Sequence, residues 1–409
     1  MVVPELSDNY LPQPDDLLVT LHESYELICN MLDNFPNYFS SPVSAAQDTA
    51  IAPAITSAFN ICRHIGGRML LFQVSTAIQR MPELQPKQGA ENNVGDKFSS
   101  SNLYFQTTAS ELAHSQVSVD LFVFTMGKGV YKNLQTMSDL ARFSNGSLFY
   151  YSDYEYYQSG LKFTNELYNS LTRQCAWEAV FRVRTSAGFN QVGTYGNKLI
   201  KQKTADLILC PVIDKDRILV YELDRENESS DKPERRRLMA DQKHMFVQSA
   251  LLYSTAEGER RIRVHNAAIP LTNIPNLPFD YLDTSALTLY WARLAIARST
   301  INQGNFASVQ TQLEIMMQGM TRAQVRAAQM AAQQQTPGEL PETLQYLALY
   351  LFGLLKSPLV SPVTQMPPRS QYYDMIADLR FQMNSMSPEE VVPFFYPQIY
   401  NISNSELTD

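Results

Sequence analysis

Two arginine clusters carry the clearest chemical potential in the chain. In Ala179-Val180-Phe181-Arg182-Val183-Arg184 an extended backbone puts Arg182 and Arg184 on one face, with Phe181 and Val183 on the other. Two residues apart on a strand is about 7 Å. Two guanidinium forks at that spacing can hold two carboxylates of one extended peptide through charge-assisted hydrogen bonds. In Gly258-Glu-Arg-Arg-Ile-Arg-Val-His265, Arg261, Arg263 and His265 share a face in the same way. A solvated strand face, or ion pairs with neighbouring acids, is the competing reading of both clusters.

Other constellations are weaker. Met126-Gly127-Lys128-Gly129-Val130-Tyr131 lies between the apolar run VSVDLFVF and a helical pattern, where a phosphate-cradling loop would sit. It has two glycines without a third and lacks the Lys-Ser/Thr of a Walker A loop, which favours an ordinary strand–helix turn. The histidines, His22, His64, His114, His244 and His265, include no pair at i, i+4. Glu111 and His114 form a single E-x-x-H, whereas a di-metal bundle needs two. Cys29, Cys62, Cys175 and Cys210 form no C-x-x-C, so no thiolate zinc site is built from local pairs. No G-x-S-x-G is present, and no carboxylate pair stands out as a general acid/base couple.

The elements that must carry these residues follow from periodicity. Ile51, Ile55, Phe59 and Cys62 fall at helical spacing over 48–62, with Pro53 early, where a helix tolerates it. Arg68–Gln73, Val117–Phe124 and Gly146–Tyr151 read as strands. Helical patterns separate or follow them: one ends near His114, one carries Leu134, Met137, Leu140 and Ala141, and one carries Phe163, Leu167 and Leu171. That alternation predicts a parallel α/β sheet with helices on both faces. After Arg173 the period changes. Ala176–Arg184, Ile218–Leu223, Phe246–Tyr253 and Arg261–His265 read as strands without intervening helices, which predicts an antiparallel β module. Within it Asp224–Arg237 holds five acids and five bases and no large apolar residue, and is expected to be a mobile surface loop. From about Asp283 the chain turns helical, with Thr284 as capping residue, over Thr284–Ser299, Phe306–Gln335, Leu340–Lys356 and Ser370–Met383. The fold class expected is multidomain: α/β, then β, then α.

Composition agrees. The chain has 409 residues, 44% apolar and 18% charged, with net charge -8. These are globular values, and the acidic balance argues against nucleic-acid binding. The N-terminal MVVPELSDNY has neither a basic nor an apolar signal region, and the apolar run Tyr346–Leu355 is too short to span a bilayer. A reducing, cytosolic compartment is the expectation, in which the Asn-x-Ser matches at Asn145, Asn227 and Asn401 stay idle.

Taken together, LPQPDDLLVTLHESYELICNML from Leu11, GGRMLLFQ from Gly66, VDLFVF from Val119, GSLFYY from Gly146, LTRQCAWEAVFRVR from Leu171 and SALLYSTAEGERRIRVH from Ser249 resemble, in that order, the cargo-selecting subunit family of the COPII vesicle coat. The last segment is the most specific. The resemblance implies three parts: residues 1–172 as the second half of a trunk domain related to the von Willebrand factor A fold, 173–268 as a β-sandwich, and 269–409 as a helical domain. It implies an adaptor without catalysis, peripheral on the cytosolic face of the endoplasmic reticulum membrane and on COPII vesicles. Its implied partners are the GTPase-activating subunit of the inner coat, the small GTPase of the coat and the cytosolic tails of membrane cargo.

The resemblance also implies that Arg182 and Arg184 fall on two arginines of a pocket for acidic export signals, and it adds nothing for Arg261 and Arg263, which read as a structural or membrane-facing basic patch. No cofactor is expected in this chain. The family's zinc finger, first half of the trunk and gelsolin-like module have no counterpart here, which points to a fragment or truncated gene. Two other classes compete. One is a nucleotide-binding α/β enzyme using the Gly127–Gly129 loop. The other is an adhesion module needing a metal-binding D-x-S-x-S, of which Asp283-Thr284-Ser285-Ala286-Leu287 is an imperfect match.

Overall fold

The computed structural model describes residues 17–38, 48–74, 76–77, 103–197, 199–200, 207–225, 242–274, 277–301, 306–332, 346–360 and 370–396. After helix α1 (Tyr25–Tyr38) the first part builds a parallel sheet from β2 (Gly67–Gln73), β4 (Val117–Phe124) and β5 (Leu148–Tyr151), in the order β2-β4-β5. A separate two-residue pair, β1 (Asp48–Thr49) with β3 (Thr76–Ala77), lies beside it in sequence. The connecting helices are α2 (Ile51–Cys62), α3 (Tyr104–His114), α4 (Leu134–Phe143) and α5 (Tyr156–Thr172). Strand β4 is buried along its whole length, so both of its faces must be apolar. Val117, Val119, Leu121 and Val123 join the core with Ile55, Leu112 and Leu140. Phe122 and Phe124 face the other way and meet Phe163 of α5 edge-on, at 6.1 and 5.3 Å.

Ser118 and Asp120 break the apolar pattern of β4, and only Asp120 is ionisable. Asp120 is 1% exposed and accepts from Arg68 Nε (2.7 Å), Ser147 N (2.7 Å) and Ser170 Oγ (3.0 Å). Arg173 lies 3.7 Å from the same carboxylate and 3.2 Å from Asp214, which also pairs with Arg217 at 3.9 Å. Asp214 ends a strand of the next module, so this cluster joins the two.

That module is antiparallel. Its main sheet has the order β12-β11-β6-β9-β8, from β6 (Cys175–Thr185), β8 (Leu199–Ile200), β9 (Leu207–Asp214), β11 (His244–Ser254) and β12 (Arg260–Pro270). β7 (Phe189–Tyr195) pairs with β10 (Val220–Arg225) as a second sheet. Asp224 and Arg225, the start of the expected surface loop, belong to β10, and residues 226–241 lie outside the described residues.

The helical part contains α6 (Leu277–Asp280), α7 (Thr284–Ile301), α8 (Phe306–Ala332), α9 (Leu347–Lys356), α10 (Gln371–Met383) and α11 (Pro388–Phe395). The cap of α7 is Asp283 and not Thr284. Its Oδ1 accepts from Ser285 N (2.9 Å) and Ala286 N (3.1 Å), which also accounts for this aspartate without a metal. Leu289, Trp291, Leu294 and Ile296 of α7 pack with α9 and α11. α9 and α11 approach so closely that a Cβ on Gly353 would stand 2.1 Å from the carbonyl of Phe395. Helix α10 instead sends Ala377 and Phe381 into the core of the parallel sheet.

Replacing Asp120 with Ala would remove the carboxylate partner of Arg68 and one of the two that Arg173 has. Breaking one side of a buried pair costs about 3–5 kcal/mol. Urea unfolding of Asp120→Ala should therefore show a clearly lower midpoint, and a loss under about 1 kcal/mol would show that the cluster carries no such weight.

Candidate functional site

Arg182 and Arg184 lie on β6, an interior strand with β9 on one side and β11 on the other. Arg182 stands opposite Leu207 and Ala250, and Arg184 opposite Gln248. Paired residues share a face, so both arginines face the same way as Gln248, Ala250 and Leu252 of β11, and as Ile262, Val264 and Asn266 of β12. Arg182 is half-buried and Arg184 exposed. On the β9 side, Val180 and Leu207 are covered by Ala113 of α3 and Phe143 of α4. On the β11 side the face is open: Leu252 is 37% exposed, Val264 44% and Ile262 65%. The two arginines thus mark the line where cover by the first part ends and an uncovered apolar row begins. The reading of the sequence found the arginines but not this row. Its signal, alternate apolar residues in Ser249–Ser254 and Arg260–Val264, becomes visible only once the register of β11 against β12 is known.

β6 is not uniform. Glu178 has φ 49° and is missing from the ladder with β9, where Trp177 pairs with Val212 and Ala179 with Cys210. The residue that would face it is Pro211, which has no N–H to donate. Against β11 the register slips by one residue at the same point, with Val180 opposite Leu252 but Trp177 opposite Ser254, and this bulge is braced by Arg260, which donates to the Glu178 carbonyl at 3.0 Å and to its carboxylate at 3.3 Å. It sets the register of β6 against β11, and so which β11 residues stand beside Arg182 and Arg184.

Arg261, Arg263 and His265 share a face, as their spacing implies, but it is the opposite face of the sheet from Arg182. Arg261 pairs with Glu259, which raises its pKa through that hydrogen bond and charge. His265 lines a cavity of about 500 Å³ between the two sheets, walled by Phe181, Ile208, Cys210, Tyr221 and Leu251. Burial pushes the Cys210 thiol up to about 12, leaving it unreactive.

The Gly127–Gly129 loop is closed to phosphate. Both glycines have positive φ, but the Gly129 amide already donates to Gln371 Oε1 (2.7 Å). The amides leading into α4 are taken by a carboxylate: Asp374 of α10 accepts from Lys132 N (2.5 Å), just before the helix, and from Leu134 N (2.7 Å), its first residue. A phosphate there would meet a buried acid, so the strand–helix turn is structural, a latch between the parallel sheet and α10. Among the described residues no three of His, Cys, Asp and Glu stand close enough to hold a metal.

Burial raises the Asp374 carboxyl to about 7 against the lowering effect of its two amide donors, and one turn further on it raises Asp378 to about 7. Asp378 Oδ2 accepts from Gln382 at 2.7 Å, and Oδ1 has no partner, as suits a protonated acid. An unfolded aspartate titrates near 3.9, so between about pH 4 and pH 7 the folded chain binds more protons than the unfolded one. Stability from these groups is present below pH 4 and is lost as pH rises to 7, by up to about 1.4 kcal/mol per pH unit for each. Asp378→Asn should match the parent near pH 3.5 and exceed it at pH 8 in chemical unfolding. An equal stability difference at both pH values would contradict the assignment.

Residues 1–171 match the Sec23/Sec24 trunk domain, and residues 176–272 match the Sec23/Sec24 beta-sandwich domain. Protein transport protein Sec24A of Bos taurus is 30% identical over 305 residues, which is 73% of this chain and 26% of the relative. Protein transport protein SEC24 of Dictyostelium discoideum is 29% identical over 418 residues, 98% of this chain and 38% of the relative. The crystal structure of the human COPII-coat protein Sec24c superposes with a TM-score of 0.79 at 25% identity, over 97% of this chain and 50% of that one. The chain therefore spans well under half the length of these curated relatives.

Proposed function

Because the chain belongs to the Sec23/Sec24 family, on its Sec24 side, we propose that it acts in the COPII coat as a cargo adaptor and binds acidic export signals on the open face of its sandwich. The observation that carries this reading is the placement of Arg182 and Arg184 side by side on β6, next to the uncovered row Leu252, Val264 and Ile262. An extended cargo tail laid across this face would meet guanidinium forks for its acids and an apolar strip for its neighbouring side chains. The sheet supplies rigidity, so little ordering cost falls on the protein side.

In this reading the chain has no catalytic step and needs no cofactor of its own; the zinc of the family would belong to sequence outside this chain. The partners are the GTPase-activating subunit of the inner coat, the coat's small GTPase and cytosolic cargo tails. The chain would work from the cytosolic face of the endoplasmic reticulum membrane and of COPII vesicles. No described helix is long and apolar enough to cross a membrane, which fits peripheral attachment. The enzyme alternative lacks support in its own loop, since Gln371 and Asp374 occupy the amides it would need.

Each charge-assisted hydrogen bond should contribute about 1.5–3 kcal/mol, reduced by screening because Arg184 is exposed. Cargo-tail peptides with and without acidic residues should be titrated against the chain and against Arg182→Ala/Arg184→Ala. Affinity for the acidic peptide should drop at least tenfold in the double variant and fall with salt, while the weak binding of the acid-free peptide stays put. Leu252→Asp should weaken both peptides. If the double variant binds the acidic peptide as the parent does, the arginines are only a solvated strand face.

A further inference from the structure

A cleft of about 560 Å³ opens where α3 and the end of α4 meet β7 and α7, and none of the residues of the proposed cargo face lines it. The volume is in the range of small-molecule sites. Its charged lining is Arg142 and Arg293, and no Asp or Glu lines it among the described residues. This stands out in a chain of net charge -8.

Arg293 is 1% exposed, and its hydrogen bonds go to main-chain carbonyls: Met383 (3.1 Å), Ile218 (2.8 Å), Met386 (2.9 Å) and Tyr195 (3.5 Å). These carbonyls satisfy its donors but do not cancel its charge. Burial alone lowers its pKa, to about 10, with no acid opposing the shift. Arg142 lies over the Phe143 ring at 5.3 Å and makes no ion pair or hydrogen bond through its guanidinium among the described residues. Its charge adds to burial in lowering the pKa of nearby Arg380. The carboxamides of Gln106 and Asn384 line the same cleft and make no hydrogen bond among the described residues.

We propose that this cleft binds a phosphorylated small molecule, with Arg142 and the carboxamides of Gln106 and Asn384 as donors to the phosphoryl oxygens and Arg293 as a fixed positive charge behind them. The donors come from α3, from α4 and from the turn after α10, on different walls. A tetrahedral phosphoryl group presents oxygens in several directions and fits donors so spread, whereas a carboxylate offers a single planar edge to one fork. An uncompensated buried guanidinium beside an open cleft is an arrangement that an anion stabilises.

The test is calorimetric titration of the chain with inorganic pyrophosphate at constant ionic strength. Binding is expected in the micromolar range. Arg142→Gln should weaken it at least tenfold, with folding checked by circular dichroism. Gln106→Leu, which removes no charge, should weaken it several-fold and stands in if Arg142→Gln fails to fold. Arg263→Ala, on the exposed strand β12, should leave it unchanged. No binding up to millimolar pyrophosphate, full affinity in Arg142→Gln or in Gln106→Leu, or an equal loss in Arg263→Ala would each overturn the proposal. So would displacement of pyrophosphate by tetraglutamate at lower concentration than by pyrophosphate itself, which would assign the cleft to an acidic peptide.

Discussion

Asp120 sits midway along a strand whose other side chains are nearly all apolar, and it is surrounded by Arg68, Arg173, Ser147 and Ser170. Arg173 ends α5 and continues to Asp214 on β9, and Arg217 closes the cluster from the loop beyond, where it also donates to the Asn145 carbonyl at 2.8 Å. Three guanidinium groups share two carboxylates, and both carboxylates are almost fully buried. Burial pulls the Arg217 pKa down while Asp214 and Asp120 hold it up. Such a cluster offers little stability over an apolar packing of the same volume, but it tolerates no missing member and few alternative geometries. Arg173 stands two residues before β6 begins. The orientation of β6 against the parallel sheet, and hence the line on which Arg182 and Arg184 emerge beside α3 and α4, is set by these charges.

The helical part is tied back by two further polar devices. Arg293 reaches from α7 to the carbonyls of Met383 and Met386 and to Ile218 beside β10. Asp374 reaches from α10 to the start of α4. In both cases a buried charge is satisfied mostly by main-chain groups, which fixes the relative position of backbones and not just of side chains. Asn197 adds a bond from the sandwich to Ser385 at 2.9 Å. Helix α10 is thereby common property: Asp374, Ala377 and Phe381 serve the parallel sheet, while Met383 packs with α7, α9 and α11.

Elements with an unambiguous period were legible in the sequence. Val117–Phe124 is the strand read from its apolar run, α2 and α4 carry the apolar positions read at helical spacing, and the change of period after Arg173 coincides with the start of β6 at Cys175. What escaped has physical reasons. β9 is an apolar run interrupted by Pro211, which resembles a linker until the ladder with β6 shows Pro211 passed over opposite Glu178 without loss of register. β7 contains Gly193, which also weakens a strand pattern. α11 follows Met383 after a short turn, and its signature, a capping box between Ser387 and Glu390, was present but short. The roles of Asp120, Arg293 and Asp374 could not be read locally, because their partners lie 27 to 242 residues away.

The two cationic features of the molecule differ in the way that peptide and small-ion recognition differ. Arg182 and Arg184 lie on an open sheet, flanked by apolar side chains, with room for a chain of residues to run past. Arg184 is exposed and Arg182 half-buried, and in the proposed role they would suit a long partner that contributes apolar surface as well as acids. Arg142 and Arg293 stand at a concave junction of several elements, one of them withdrawn from water and neutralised only by carbonyl dipoles. There the field is strong over a small volume, which favours a compact anion over an extended one. The separation follows from the architecture: a sheet exposes its charges in rows two residues apart, whereas a junction of helices gathers charges that are distant in sequence around a single point.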